Sequence, residues 1–305
     1  MTKATQYRGI FGIPATPFKD DETLDRRSLE SVLHFTVESG CHGVVMPVMA
    51  SEFSTLTDTE RRMVIEATIR VVNHRIPVVA GVSGIGNAHS IELARYAEGA
   101  GAEAVIAMPP HGRPPSYDEV RRFYELLGAA IKIPIFIQNH NQGARLNAEQ
   151  LAGLCRDVAN VDYVKEETTY AAQVGSKLLE LAPAHCRGVM GGGSGRYILM
   201  EYARGFCGNM PASHFGDPMS KLWNLLESGK AAEAGELYRR MLPLIVFEGI
   251  YGIEAFKAVL VKRGIIASAT VRSPGRHSMD PQDMAELVRL LAEVGDLLTW
   301  RKDSR

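Results

Sequence analysis

The sequence predicts an α/β protein built as a (β/α)8 TIM barrel with a C-terminal helical extension. Two observations lead to this fold class. From Gly9 to Pro211, short apolar runs alternate with longer amphipathic stretches, a pattern typical of βα units around a parallel sheet. Eight such runs occur, which is the number of strands that closes the barrel, and 305 residues suit one barrel with additions.

Each predicted strand is a short apolar run, and several of the intervening helices carry their own start signals. Asp25, Thr57 and Ser116 are N-cap residues ahead of amphipathic stretches, and glycines at 40, 99 and 101 mark helix ends. The predicted strands are Gly9–Ala15, Gly43–Val48, Pro77–Val82, Ala104–Met108, Pro134–Gln138, Tyr163–Glu166, Gly188–Gly191 and Gly208–Pro211.

About ninety residues follow the eighth strand, more than one closing helix needs, and they contain further amphipathic helical stretches. We therefore expect the barrel over residues 1–225 and a helical region packed on it over 226–305. The composition predicts a chain that folds throughout, since 46% of its residues are hydrophobic and 23% are charged.

Charge, apolar run length and cysteine spacing exclude several classes of function. The formal net charge is −1, with no basic block for nucleic acid, and no apolar run reaches the roughly eighteen residues of a membrane span. Four cysteines lie far apart without metal-ligand spacing, so we expect them to be reduced and buried. The expectation is a cytoplasmic protein without a secretion signal, a nucleic-acid partner or a membrane partner.

Several segments together resemble the dihydrodipicolinate synthase and N-acetylneuraminate lyase family of Schiff-base aldolases. In order along the chain, they are GIPATPF, SEFSTLTDTER, PVVAGV, ELARYAEGAGAEAVIAMPP, PIFIQN, YVKEET and GVMGG. The resemblance covers almost the whole chain. It implies a barrel with a C-terminal helical domain, a small 2-oxo acid as substrate, and assembly into homodimers or homotetramers. No cofactor is implied beyond the covalent imine between a lysine and the substrate.

Lys165 is the candidate nucleophile. It ends an apolar run at strand six, so its amine is expected to lie inside the barrel, where burial favours the neutral form that attacks a ketone. The resemblance implies that this residue is the Schiff-base lysine. The alternative is a structural ion pair with Glu166 or Glu167, which strand alternation disfavours for the adjacent residue.

The turn after strand two is the candidate site for the substrate carboxylate. The resemblance implies a glycine- and hydroxyl-rich turn there, which leaves Ala50, Ser51 and Glu52 as candidate binding residues. Met49 and Ala50 stand where the family often has threonines, and Ser51 stands where it has glycine. The alternative is a turn shaped for packing alone.

Strand five departs from the family at the position of a proton-relaying tyrosine. This chain has Gln138, followed by Asn139, and an amide does not titrate in the useful range. Histidine suits proton transfer near neutrality, so His140 and His214 are the predicted catalytic replacements. His111, Asn139, Met210 and Ser213 complete the predicted surroundings of the substrate, each with a structural role as its alternative.

The glycine run after strand seven contributes Gly191 and Gly192, which we expect to leave room for the substrate beside the imine; a phosphate cradle is the weaker interpretation. The predicted activity is a lyase acting on a pyruvate-type 2-oxo acid by reversible aldol cleavage. Dehydration of a 3-deoxy-2-oxo sugar acid is the first alternative. A metal-dependent barrel enzyme using histidines and Glu52, or a non-catalytic binding descendant, are the alternatives of another class.

Overall fold

The computed structural model describes residues 7–110, 112–274 and 278–300. Eight strands follow one another in hydrogen-bonded order and close into a barrel, and the paired neighbours run parallel. The predicted fold class is therefore confirmed. The strands are β1 (Gly9–Gly12), β2 (Gly43–Met46), β3 (Val78–Gly81), β4 (Ala104–Ala107), β5 (Ile135–His140), β6 (Val161–Glu167), β7 (Gly188–Gly191) and β8 (Gly208–Asn209).

Helices separate the strands, and four more helices follow the last strand in the described part of the chain. The N-caps predicted at Asp25, Thr57 and Ser116 are all present, the last two within reciprocal capping boxes closed by Glu60 and Glu119. The helices are α1 (Arg26–Glu38), α2 (Asp58–Val72), α3 (Asn87–Ala100), α4 (Tyr117–Ala130), α5 (Ala148–Asp157), α6 (Ala171–Leu181), α7 (Ile198–Ala203), α8 (Gly216–Glu227), α9 (Ala231–Tyr251), α10 (Ile253–Lys262) and α11 (Pro281–Glu293).

The chain divides into two compact units, each with its own contacts. Among the described residues, the first unit contains Tyr7, Arg8, those within Pro77–Gly193, and Tyr197–Met210. The second contains Gly9–Ile76, Ser194–Arg196 and those from Pro211 onward. Residue 225, where the sequence placed the end of the barrel, falls within α8. A separate helical region over 226–305 stays a prediction.

The core of the first unit is aromatic next to the candidate lysine. Phe136 and Tyr163 stack with ring centroids 4.6 Å apart, and Tyr7 packs against both rings. Burying such rings stabilises the fold by roughly 1.5–3 kcal/mol each. These side chains form an apolar floor beneath the next inward-facing positions of β5 and β6.

The four cysteines are buried and free, as predicted. Over the described part of the chain, no helix is both long enough and apolar enough to cross a membrane.

Candidate active site

The register between β5 and β6 brings the candidate catalytic side chains to one face of the sheet. Since successive strand residues point to opposite faces, every second residue of each strand shares a side. The paired positions are Gln138 with Lys165, Asn139 with Glu166 and His140 with Glu167. Gln138, His140, Lys165 and Glu167 therefore follow Phe136 and Tyr163 on the same face.

Lys165 is buried and paired with an acid two residues further along its own strand. Its Nζ lies 2.8 Å from Oε2 of Glu167, and the two side chains are 2% and 13% exposed. A buried ion pair of this kind is stable only when its geometry and remaining hydrogen bonds are good. Among the described residues, Lys165 therefore has a carboxylate in position to take a proton from its ammonium group.

The electrostatics of this pair keep Glu167 ionised. Burial alone would raise the pKa of its carboxyl group, but the charge and hydrogen bond of Lys165 outweigh burial and hold the pKa below its ordinary value. Gln138 supports the same carboxylate, since its Nε2 donates to Glu167 Oε2 over 3.1 Å. The amide oxygen of Gln138 is buried and has no hydrogen-bond partner within the described ranges. That oxygen is available to a hydroxyl donor of a substrate.

His140 lies opposite Glu167 on β5, and its ring is hydrogen-bonded to the turn that follows. Its Nδ1 accepts a hydrogen bond of 3.1 Å from the backbone N–H of Gln142. Burial lowers the pKa of the imidazole despite the nearby carboxylate of Glu167, so the ring is neutral near pH 7. The structure thus places His140 beside the Lys165 pair, while its catalytic role stays a prediction.

Asn139 and Glu166 lie on the opposite face and shape the loop that follows β5. The Asn139 amide donates to Leu146 O (2.8 Å) and to Glu166 (2.7 Å), and its oxygen accepts from Leu146 N. Burial raises the pKa of Glu166 to about 7, partly offset by hydrogen bonds from Thr168 and Asn139. Asn139 is predicted to bind substrate, but its amide is used in these contacts.

The glycines at the end of β7 make room for carboxylates of this chain. A Cβ built on Gly192 would lie 2.1 Å from Glu167 Oε1, and one on Gly191 would lie 2.0 Å from Glu201 Oε2. Only glycine permits these close approaches. Glu201 in turn accepts a hydrogen bond of 2.9 Å from Asn209 on β8. Gly192 therefore borders the Lys165 pair directly, whereas Gly191 borders a different acid.

Glu201→Gln is expected to reduce the fall in stability between about pH 4.5 and pH 7. Burial raises the pKa of Glu201 from 4.5 to about 7, so in this window the folded chain binds more protons than the unfolded chain. Stability is therefore lost as the pH rises. Removing this ionisation should improve the free energy of unfolding at pH 8, relative to pH 5, by about 2 kcal/mol.

Urea unfolding of the wild type and of Glu201→Gln at both pH values measures this difference. The matched control is Glu180→Gln, at an exposed acid on α6. Parallel pH profiles for the wild type and Glu201→Gln would show that Glu201 titrates normally in the folded chain.

In the second unit, Ser51 and Glu52 lie in the turn after β2, and both are buried. The Ser51 hydroxyl donates to Pro14 O (2.7 Å), and its carbonyl accepts from the Thr16 hydroxyl (2.6 Å). Glu52 has the left-handed conformation, with φ of 55°. The hydroxyl predicted to bind a carboxylate is thus used to hold the turn against the segment that follows β1. Ala50 is part of the short 3₁₀ turn Met49–Ser51.

His214 forms a buried pair with an acid that the sequence analysis did not single out. Its Nε2 lies 2.5 Å from Oε1 of Glu248 on α9, and its ring stacks on Phe256 at 4.8 Å. Its Nδ1 and the hydroxyl of Ser213 have no hydrogen-bond partner among the residues described in the structure. A carboxylate that orients a histidine is common at catalytic sites and at purely structural ones. The roles of His214 and Ser213 stay predictions.

Met210 and His111 are the remaining residues predicted to surround the substrate. Met210 is buried, and its N–H donates to Gly191 O over 2.9 Å. His111 lies outside the described residues. For the metal alternative, no group of three His, Cys, Asp or Glu side chains in the described ranges forms a possible metal site.

Glu167 is the functional candidate that the sequence analysis missed. Strand alternation disfavours a pair between Lys165 and its adjacent residue, and Glu166 indeed faces away. The same period of two places Glu167 on the face of Lys165. The signal was therefore present in the KEE triplet.

Comparison with known proteins agrees with the fold and with the resemblance noted in the sequence. The model of the dihydrodipicolinate synthetase family matches residues 6–293. An L-2-keto-3-deoxyarabonate dehydratase of Azospirillum brasilense is 30% identical over 301 residues, 97% of both proteins. A 4-hydroxy-tetrahydrodipicolinate synthase of Nitratidesulfovibrio vulgaris is 29% identical over 237 residues, 76% of this chain and 80% of that protein.

The crystal structure of dihydrodipicolinate synthase from Rhodopseudomonas palustris superposes with a TM-score of 0.87 at 26% identity, covering 94% of this chain and 98% of that one. Matches of this extent reach from β1 to the C-terminal helices. The chain therefore belongs to the dihydrodipicolinate synthetase family and is an enzyme, a lyase of the Schiff-base type that acts on a 2-oxo acid.

Proposed function

We propose that this enzyme dehydrates a 3-deoxy-2-oxo sugar acid through an imine on Lys165, with Glu167 as the base. The observation that carries this proposal is the buried 2.8 Å pair between Lys165 and Glu167, with Gln138 in place of a titrating tyrosine. The substrate class agrees with the name of the Azospirillum relative, which aligns over nearly all of both chains. The proposal favours the second of the two reactions expected from the sequence.

Imine formation begins when Glu167 takes a proton from the Lys165 ammonium group. The neutral Nζ attacks the C2 carbonyl carbon of the substrate, and one Nζ proton moves to the carbonyl oxygen. That oxygen leaves as water with the proton that Glu167 took up, so Glu167 is ionised again. The resulting iminium ion draws electrons from the adjacent carbon, which makes the C3 protons acidic. No metal or other cofactor is needed for this activation.

Elimination then uses the same carboxylate. Glu167 lies next to the imine nitrogen, which places it near C3, two bonds away along the substrate. It removes a C3 proton, and the electron pair forms the C2–C3 double bond of an enamine. That enamine expels the C4 hydroxyl group, which leaves as water with the proton held by Glu167. Hydrolysis of the iminium ion by water releases the unsaturated 2-oxo acid and returns Lys165 to its ammonium form.

The position of the base separates dehydration from aldol cleavage. Cleavage of the C3–C4 bond requires removal of the C4 hydroxyl proton, the kind of transfer that a titrating tyrosine on strand five can perform. Gln138 cannot accept or release that proton, but its unpartnered oxygen can hold a hydroxyl group in place. Dehydration needs only the base at the imine.

The products distinguish the two reactions. We expect incubation with 3-deoxy-2-oxo pentonic and hexonic acids to give a product that keeps every carbon atom and has lost one water, as detected by mass spectrometry. Release of pyruvate and an aldehyde, measured with lactate dehydrogenase and a carbonyl reagent, would replace dehydration with aldol cleavage. We further propose that the enzyme is cytoplasmic and assembles into a homodimer or homotetramer. Sedimentation velocity of the purified protein measures the number of subunits.

A further inference from the structure

A second buried lysine, Lys257 on α10, lies outside the proposed chemistry. Its side chain is fully buried, its Nζ forms an ion pair with Glu52 Oε1, and it donates to Thr270 O over 2.6 Å. Glu52 belongs to the turn after β2 and is 4% exposed. Since charged pairs are rarely buried without a specific partner geometry, this contact fixes the turn to the C-terminal part of the chain.

Arg272 binds the same turn from the segment after α10. Its backbone N–H donates to the other oxygen of Glu52 over 3.0 Å. Its guanidinium group donates to Thr55 O (3.0 Å) and forms two hydrogen bonds with Glu60, of 2.6 and 2.8 Å. The carboxylate of Glu52 is therefore bound through both oxygens by residues more than 200 positions later in the chain.

Phe18 lies against both cations and completes the cluster. The Lys257 ammonium lies 4.4 Å from the centre of its ring, and the Arg272 guanidinium lies 4.1 Å from it. Cation–π contacts are stronger in a desolvated position than at an exposed site. The ring follows β1, so the loops after β1 and β2 share one support.

The turn needs this support because its backbone is unfavourable. Glu52 has φ of 55° and ψ of 38°, between two short 3₁₀ turns, and this left-handed conformation is unfavourable for a residue other than glycine. The Ser51 hydroxyl donates to Pro14 O, and the N–H groups of Ser51, Glu52 and Phe53 already donate to carbonyls of the same turn. Within the described residues, a ligand at this turn therefore meets the N–H groups of Met49 and Ala50. Their directions depend on the conformation that Glu52 imposes.

We propose that Lys257 and Arg272 are positioning residues that set the affinity of the strand-two turn for the carboxylate of a 2-oxo acid. The inference rests on the proposed function, since it takes this turn as the carboxylate site of that substrate. It assigns to the C-terminal segment a role in substrate binding without any contact to the substrate. Neither residue takes part in proton transfer to the reacting atoms.

Lys257→Met is expected to raise the KM for the substrate, and the Kd for pyruvate measured by calorimetry, at least about tenfold. The value of kcat should stay within about threefold, because Lys165 and Glu167 are untouched. Lys257→Arg, which keeps the charge, should restore part of the affinity. Lys262→Met, at an exposed lysine on the same helix, is the matched control and should leave both constants unchanged.

If Lys257→Met does not fold, Arg272→Gln is the second test, and it should raise the KM and the Kd for pyruvate in the same way. A purely structural role would lower the melting temperature and the active fraction without changing KM or Kd, and that result overturns the inference. If the wild type forms the Lys165 adduct and the variants bind pyruvate with unchanged Kd, this inference is wrong but the proposed function stands. Wild-type protein that binds no 2-oxo acid overturns it together with the proposed function.

Discussion

Lys165→Ala is expected to abolish turnover, with a loss of at least about a thousandfold in kcat. Without the amine there is no imine, and no other step of the proposed reaction begins. Borohydride reduction of the wild type with pyruvate should give a covalent adduct on the peptide that contains Lys165, detected by peptide mass analysis. The variant should give none. The same reduction with other 2-oxo acids ranks them as substrates.

Lys177→Ala is the control for this experiment, because Lys177 is an exposed lysine on α6 with an acid partner of its own. It should keep both activity and adduct. Since Lys165→Ala leaves Glu167 buried without its cation, circular dichroism must show that the variant is folded. Full activity in folded Lys165→Ala would refute the proposed chemistry, and an adduct on Lys257 instead would assign the imine to the other buried lysine.

Glu167→Gln has the second largest expected effect, a loss of about 10²–10⁴ in kcat. The amide keeps the shape and can still hydrogen bond with Gln138, but it cannot remove the C3 proton. Imine formation should survive in part, so the borohydride adduct on Lys165 should still form at high pyruvate. Exchange of the pyruvate methyl protons with deuterated water, followed by NMR, should slow in parallel with kcat.

Glu166→Gln is the matched control, since Glu166 precedes Glu167 on β6 and faces the opposite side. It should retain activity within about tenfold. Equal losses in the two variants would mean that the effect comes from damage to β6. Unchanged proton exchange in Glu167→Gln would mean that another residue is the base. His140 is the next candidate because it lies at the paired position on β5.

The architecture was predictable because its signals are local. Alternation of apolar runs and helices, and caps such as Thr57 and Ser116, depend on residues within a few positions of one another. The strand predictions therefore agree with the observed elements apart from their ends. Lys165 was also within reach of the sequence, since its place at the end of an apolar run predicts its burial.

The contacts of each candidate residue were harder to predict from the sequence. Glu167 lies two positions from Lys165 and could have been assigned to the same face, but its contact with Gln138 requires the register of β5 against β6. Asn139 follows Gln138 directly, yet the alternation of the strand turns its amide to the loop at Leu146. Register depends on the whole sheet and is not encoded in either strand alone.

By itself, the sequence determined the barrel class and the family and predicted the nucleophile, because each follows from periodicity or from a continuous motif. Only the tertiary structure decided which charges meet. Lys257 and Glu52 are far apart in the chain, as are His214 and Glu248, and neither pair has a spacing that predicts contact. Buried charges are stable only with a partner in suitable geometry, and that geometry exists only after the chain has folded.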